Sequence, residues 1–282
     1  VSLIENLPTA VQAILVVIAF AGISITGLYL VRRAVPAQNL REDHDVAGFT
    51  FGVIGAFYGV VLAFVIVAAW QRFQNAQEKT QSEALALTNM YVLARGFEDP
   101  MRSDLIAAVR RYADQVVNSE WSAMAQASYE KSRGGEDRIW SVLLTYQPRN
   151  SRDQILLDKC LADMGQLTDA RELRFMFYKD DLPSVIWIVI YVGCVITITF
   201  SYFFGTRRQR SQAIMCGTFA ALIGLTILAV SELANPYQGT VNVSAAPFKF
   251  VISTIDRQGA SLPLRPTPHA LATAGGKPGA GG

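Results

Sequence analysis

The stretch Phe51–Leu87, FGVIGAFYGVVLAFVIVAAWQRFQNAQEKTQSEALAL, changes character without a break. Through Trp70 it carries no charge. From Gln71 it turns amphipathic, and no proline or glycine follows Gly59 to stop a helix. An uncharged run of about 20 residues is what a helix needs to cross a bilayer core. One helix is therefore expected to leave the membrane and continue into water.

Three more apolar runs have the same length: Val11–Val31, Val185–Phe204 and Ala213–Leu233. With Phe49–Trp70 they make four membrane spans. Composition agrees, since 51% hydrophobic and 17% charged residues over 282 positions are too apolar for an ordinary soluble domain. Lys and Arg (25) nearly balance Asp and Glu (23), which speaks against nucleic acid as a partner. Asp180, Asp181 and Pro183 read as the start of the third span, with the proline in its first turn. Trp70, Trp187, Tyr191 and Tyr202 sit near span ends, as interfacial aromatics do.

Loop charge sets the expected orientation. The first short connection carries Arg32, Arg33 and Arg41, the third carries Arg207, Arg208 and Arg210, and the amino-terminal tail has no basic residue. Both short loops are thus expected in the cytoplasm, with both termini and the long middle segment outside it.

The middle segment reads as helix throughout. Phe73, Ala76, Thr80, Ala84, Leu87, Tyr91 and Ala94 continue the second span as an amphipathic helix to about Gly96. Asp99 is expected to cap a helix with Pro100 in its first position and a stripe of Leu105, Val109, Tyr112, Val116 and Met124, broken by Gly134 and Gly135. A short helix at Ile139–Tyr146 follows. Ser151 with Gln154 reads as a capping box for a helix whose stripe is Leu157, Leu161, Met164, Leu167, Arg171 and Phe175.

The expected architecture is an all-α membrane protein: four transmembrane helices, a helical bundle inserted between the second and third, and the second helix continuing into that bundle. Residues 9–70 form the first transmembrane pair, 71–183 the bundle, 184–234 the second pair, 235–261 a post-membrane segment, and 262–282 a disordered Pro/Gly/Ala-rich tail.

Signs of enzyme chemistry are thin. His44, in a loop, and His269, in the tail, lack partners for a metal site, so no metal or cofactor is expected. Cys160, Cys194 and Cys216 have no ligand spacing and read as packing residues. SYEK at Ser128–Lys131 matches an SxxK pattern but lacks its companion KTG element.

Two faces of the second span stand out. Gly52, Gly55, Gly59 and Ala63 form a small-residue series of the kind that lets membrane helices approach closely, inside a subunit or between subunits. Phe49, Val53, Phe57, Val60 and Phe64 present an apolar stripe that faces lipid or core, or constricts a pore. Glu232, the carboxylate inside the fourth span, is either functional or reaches interfacial water. Glu83, Arg95, Arg110, Arg111, Glu120 and Arg171 read as a charged bundle face, with Glu120 and Arg171 close enough to apolar stripes for paired burial.

Four blocks in order carry a family resemblance: Phe51–Leu87, RRYADQVVNSEW at Arg110–Trp121, DLPSVIW at Asp181–Trp187, and NPYQGTVNVSAAPF at Asn235–Phe248. Together they resemble the bacterial bestrophin-like family, which is remotely similar to the bestrophin chloride channels. That resemblance implies a pentamer of four-span subunits whose second membrane helix lines a hydrophobic neck. VIGAFYGVV at Val53–Val61 is similar to the neck segment FVLGFYV: Phe57 stands at an aromatic position, Val53 replaces an aromatic, and Phe49 falls at a third ring.

The expected function is a homo-oligomeric ion channel of the bacterial inner membrane, with anions favoured by vestibule arginines Arg72, Arg95 and Arg110. Its partners are the bilayer, ions and further copies of itself. The alternative is a non-conducting scaffold or sensor whose bundle binds a partner. The resemblance implies a cytoplasmic bundle, whereas the loop arginines place it outside.

Overall fold

The structure is a computed structural model that describes residues 8–34, 44–125, 135–203 and 209–261, and among these there is no strand. In chain order the helices are α1 (Thr9–Ala34), α2 (His44–Ala94), α3 (Met101–Gln115), α4 (Trp121–Ala125), α5 (Asp137–Thr145), α6 (Ser151–Lys179), α7 (Ser184–Ser201), α8 (Gln209–Ala234) and α9 (Ala246–Ser261). A π-helical turn, Val116–Glu120, joins α3 to α4. The tail expected to be disordered, with His269, and the SYEK motif lie outside the described residues.

Four helices, α1, α2, α7 and α8, contain stretches long and apolar enough to cross a membrane. α2 runs unbroken for 51 residues, about 76 Å at 1.5 Å per residue and well over twice a bilayer core. Its continuation past Trp70 follows from a sequence that offers no breaker before Gly96.

In the membrane half α8 is central, packing on α1, α2 and α7. α1 and α8 run antiparallel: Arg32 donates to Gln212 at one end, and the Thr9 and Thr240 hydroxyls meet at 3.1 Å at the other. The ends bearing Arg32, Arg33 and Arg210 thus share the face remote from the bundle. Close helix approach depends on glycine. A Cβ on Gly193 would stand 2.3 Å from the Tyr58 ring, and one on Gly224 2.6 Å from the Phe20 ring. The Tyr58 hydroxyl then donates to the Ile190 carbonyl at 2.7 Å, pinning α2 to α7.

The extramembrane half is a bundle of α2, α3, α5, α6 and α9. Leu87, Met90, Leu105, Tyr112, Met164 and Phe248 are among its fully buried side chains. α9 belongs to this bundle, because Phe248, Val251 and Ile255 enter the same core. The π-helical turn has a reason in the sequence. Tyr112, Val116, Glu120 and Met124 are spaced by four, which drifts about 40° per step on a regular α-helix, and the wider turn keeps all four buried.

Several local expectations shift. The cap of α6 is Asn150, whose side chain accepts from the Asp153 amide at 2.8 Å, so the capping motif begins one residue before Ser151. α3 starts at Met101 with Pro100 at its cap position, and the Asp99 carboxylate just before it pairs with Arg102. Pro183 likewise stands at the cap of α7, one residue ahead of its first turn. Tyr202, expected at the membrane interface, is 7% exposed, its ring filling the gap left over Gly27. His44 opens α2 and is not in a loop.

Candidate functional site

The free face of α2 defines the site. Each residue of a helix advances about 100°, so Phe49, Val53, Phe57, Val60 and Phe64 fall within about 80° of one another. All five are exposed in the protomer, with Phe49, Phe57 and Phe64 at 77, 74 and 72%. Opposite them Tyr58, Leu62 and Ala69 are buried against α7 and α8.

The glycines occupy the flank between these two faces. A Cβ on Gly52, Gly55 or Gly59 would meet nothing within 4 Å, and Ala63 is exposed. Among the described residues, none of these three glycines is packed against another helix of the subunit. The intrasubunit close approaches are made by Gly27, Gly193, Gly217 and Gly224 instead. The exposed α2 surface within the span thus alternates phenylalanine with glycine, alanine and valine. The free faces of α1, α7 and α8 carry bulky Ile, Leu, Val and Met, as in Ile14, Ile18, Ile188, Ile196, Ile214 and Leu222.

The predicted vestibule arginines are engaged with protein groups. Arg72 donates to the carbonyls of Ala234 (3.1 Å), Phe177 (3.0 Å) and Asp180, and lies over the Phe177 ring. It ties α2 to the ends of α6 and α8. Arg95 donates to Gln258 at 2.9 Å, and Arg110 pairs with Asp256 at 3.0 Å and with Asp114 at 3.7 Å. Glu232 is likewise engaged with protein groups. Its Oε2 accepts from the Thr240 amide and hydroxyl and from the Val241 amide at 3.0–3.1 Å, holding a turn around Gly239, whose φ of +75° favours glycine.

Below the membrane half lies a buried ionic cluster. Arg171 forms two hydrogen bonds with Glu120, at 3.0 and 2.8 Å. Arg174 reaches both Glu83, at 2.6 and 3.0 Å, and Glu120, at 2.9 Å. Tyr112 donates to Glu83 at 2.6 Å and accepts from Arg171 at 3.0 Å. Two positive and two negative charges neutralise one another, which is how charged groups are tolerated away from water. Burial pushes the Tyr112 hydroxyl well above its ordinary pKa. The Glu120–Arg171 pairing was legible in the sequence; Arg174 was missed. Its signal is nevertheless there, since Leu157, Cys160, Met164, Leu167, Arg171 and Arg174 step by three and four and are all buried. Leu161 and Phe175 lie beside that register, half-buried.

Among the described residues no group of three His, Cys, Asp or Glu side chains converges on a metal-sized site. An open cavity of about 710 Å³ at the far end of the bundle, near Glu98, Asp104, Arg138 and Arg149, mixes both charges.

Four apolar helices, an α-helical extension of one of them and a helical bundle define a multi-pass membrane protein. Residues 18–248 match the Bestrophin-like domain. The chain belongs to the bestrophin-like family. Its fold is similar to crystal structures of a bacterial bestrophin homologue from Klebsiella pneumoniae. One, a point mutant, has a TM-score of 0.59 at 13% identity over 87% of this chain and 98% of that one. Another has a TM-score of 0.57 at 11% identity over 86% and 96%. The crystal structure of a membrane protein variant aligns with a TM-score of 0.60 at 9% identity over 89% of this chain and all (100%) of that one. No curated protein matches the chain.

Proposed function

We propose that this chain is one subunit of a homo-oligomeric ion channel, with the free face of α2 lining the conducting path. The observation that carries the reading is the division of α2 into three sectors. One is buried on α7 and α8, one bears Phe49, Val53, Phe57, Val60 and Phe64, and the flank between them is made of small residues with open space above them. In a ring of copies the small flank lets neighbouring α2 helices approach, and the phenylalanine sector turns to the axis as an apolar constriction. Membership of the bestrophin-like family supports a channel, and the pentamer of the remotely similar bestrophin channels is the ring we adopt.

An outer bundle fits the helix ends. Arg32, Arg33 and Arg210 lie at the face remote from it, and basic ends of short loops favour the cytoplasm. Reconstitution of the purified oligomer into planar bilayers tests the channel. The wild type is expected to conduct, and Phe57→Ala, which removes an exposed ring without touching the core, to alter unitary conductance or gating. Identical currents from a folded Phe57→Ala oligomer would remove Phe57 from the path. A folded oligomer that passes no current would point to the non-conducting scaffold.

A further inference from the structure

The free stripe of α2 does not stop at the membrane. Continuing at about 100° per residue from Phe49, the same sector passes Val67, Gln71, Gln74, Glu78 and Gln81 before reaching Leu85, and all of these are exposed. Exposure itself follows the helical period from Phe49 to Leu85, so the stripe is one continuous strip along a single unbroken helix. It changes chemistry twice: apolar through Val67, polar from Gln71 to Gln81, apolar again at Leu85 and Val92.

In the polar stretch Glu78 is the charged residue at the centre of the stripe. Arg72 and Lys79 are rotated about 100° or more away from it, and Arg72 is committed to three backbone carbonyls. Glu83, on the opposite side, is buried with Arg174. Lys79 touches Glu78 at 3.2 Å, but the Glu78 side chain remains 66% exposed, and a solvated pair of adjacent residues is held weakly. Further along, Asn89 donates to Asp163 at 3.3 Å, and Lys159 lines the same shallow groove, so the two charges there oppose each other.

Resting on the channel reading, we infer that Glu78 sets the charge preference of the path and makes it selective for small cations. Symmetry places one Glu78 from every copy at the same height, about 21 Å along α2 from Phe64. The resulting ring of carboxylates lies just outside the membrane. Side-chain amides of Gln71, Gln74 and Gln81 surround it, able to hydrogen-bond a hydrated ion without cancelling the charge. Such a ring concentrates cations and repels anions at the mouth of a narrow apolar passage. Of the arginines that suggested anions, Arg72 is committed to backbone carbonyls, Arg95 is rotated about 100° from Glu78 on α2, and Arg110 stands on α3 beside Asp256.

The test is the reversal potential of the reconstituted full-length oligomer in a potassium chloride gradient. Wild type is expected to reverse toward the potassium equilibrium potential. Glu78→Gln should lower the potassium-to-chloride permeability ratio several-fold, Glu78→Lys should carry it past unity toward chloride, and Lys79→Gln should raise it. Glu78 is exposed, so gel filtration and thermal melting of the variants are expected to match wild type. Currents from Glu78→Gln with an unchanged permeability ratio overturn the role of Glu78 while leaving the channel intact, as does a chloride-selective wild type. A wild-type oligomer without current overturns both.

Discussion

Arg174 grips Glu83 through two hydrogen bonds, Nε to Oε2 at 2.6 Å and Nη2 to Oε1 at 3.0 Å, across 91 residues of chain. Both side chains are buried, and the pair fastens α2, which bears the free stripe, to α6. Loss of Glu83 leaves two buried guanidiniums, Arg171 and Arg174, sharing the single carboxylate of Glu120. Breaking a buried pair in this way costs about 3–5 kcal/mol. Glu83→Ala is therefore expected to lower the melting temperature in detergent sharply or to abolish recovery of folded oligomer. Glu83→Gln, which keeps an acceptor for Arg174, should fall less far. Intrinsic tryptophan fluorescence during heating reads both, and an Ala variant that melts with wild type would refute the structural role of the pair.

The same cluster predicts an acid limit. Burial pushes the Glu120 carboxyl up, but Arg174 and Arg171 outweigh it and hold the carboxyl below its ordinary value of 4.5. A carboxylate depressed in the folded state stabilises fully above its unfolded pKa, and that contribution is lost as pH falls through the folded value. Melting temperature should thus hold from neutral pH down to about 4.5 and then drop. Glu120→Gln should melt lower at neutral pH and show a shallower acid decline. A melting profile with the same acid slope in both proteins would assign the decline to other carboxylates.

Much of this architecture was legible in the sequence because it rests on length and period. Four apolar runs and the missing breaker after Gly59 are enough to give the spans and the long α2. The partner of each face was not legible. Gly52, Gly55 and Gly59 match a packing motif whose signal lies along one helix, whereas Gly193 and Gly224 pack by facing Tyr58 and Phe20 in distant parts of the chain. Arg72 and Glu232 looked free in sequence because their acceptors and donors are backbone groups, at Ala234 and Phe177 and at Thr240 and Val241, which carry no sequence signature.

Thiol chemistry offers a direct check on the core. Cys160, Cys194 and Cys216 are free and buried. Burial, with nearby Asp163, pushes the Cys160 thiol up to about 12, leaving almost no thiolate at neutral pH to attack an electrophile. No cysteine of the native oligomer is expected to take up a maleimide at neutral pH, and denatured protein should take up three, the number in the sequence. Rapid labelling of Cys160 in the native state, identified by mass spectrometry of peptides, would show the bundle core to be open.

Two glycines, Gly193 and Gly59, separate folding from assembly. At Gly193 an added Cβ would lie 2.3 Å from a Tyr58 ring that is itself pinned through its hydroxyl to Ile190, so neither side can yield cheaply. Gly193→Ala is expected to lower the melting temperature of the subunit by forcing α7 away from α2. At Gly59 the protomer leaves open space, and an added Cβ would meet nothing within 4 Å. On a lipid-facing surface Gly59→Leu would be harmless, since lipid tails and leucine are equally apolar. On a flank where neighbouring α2 helices meet, the same leucine holds the two backbones apart. Gly59→Leu is therefore expected to keep the melting temperature of the subunit but to lose the oligomer and its current. Light scattering of the detergent-solubilised protein measures the mass, and a Gly59→Leu oligomer of wild-type mass would remove the small-residue flank from the subunit interface.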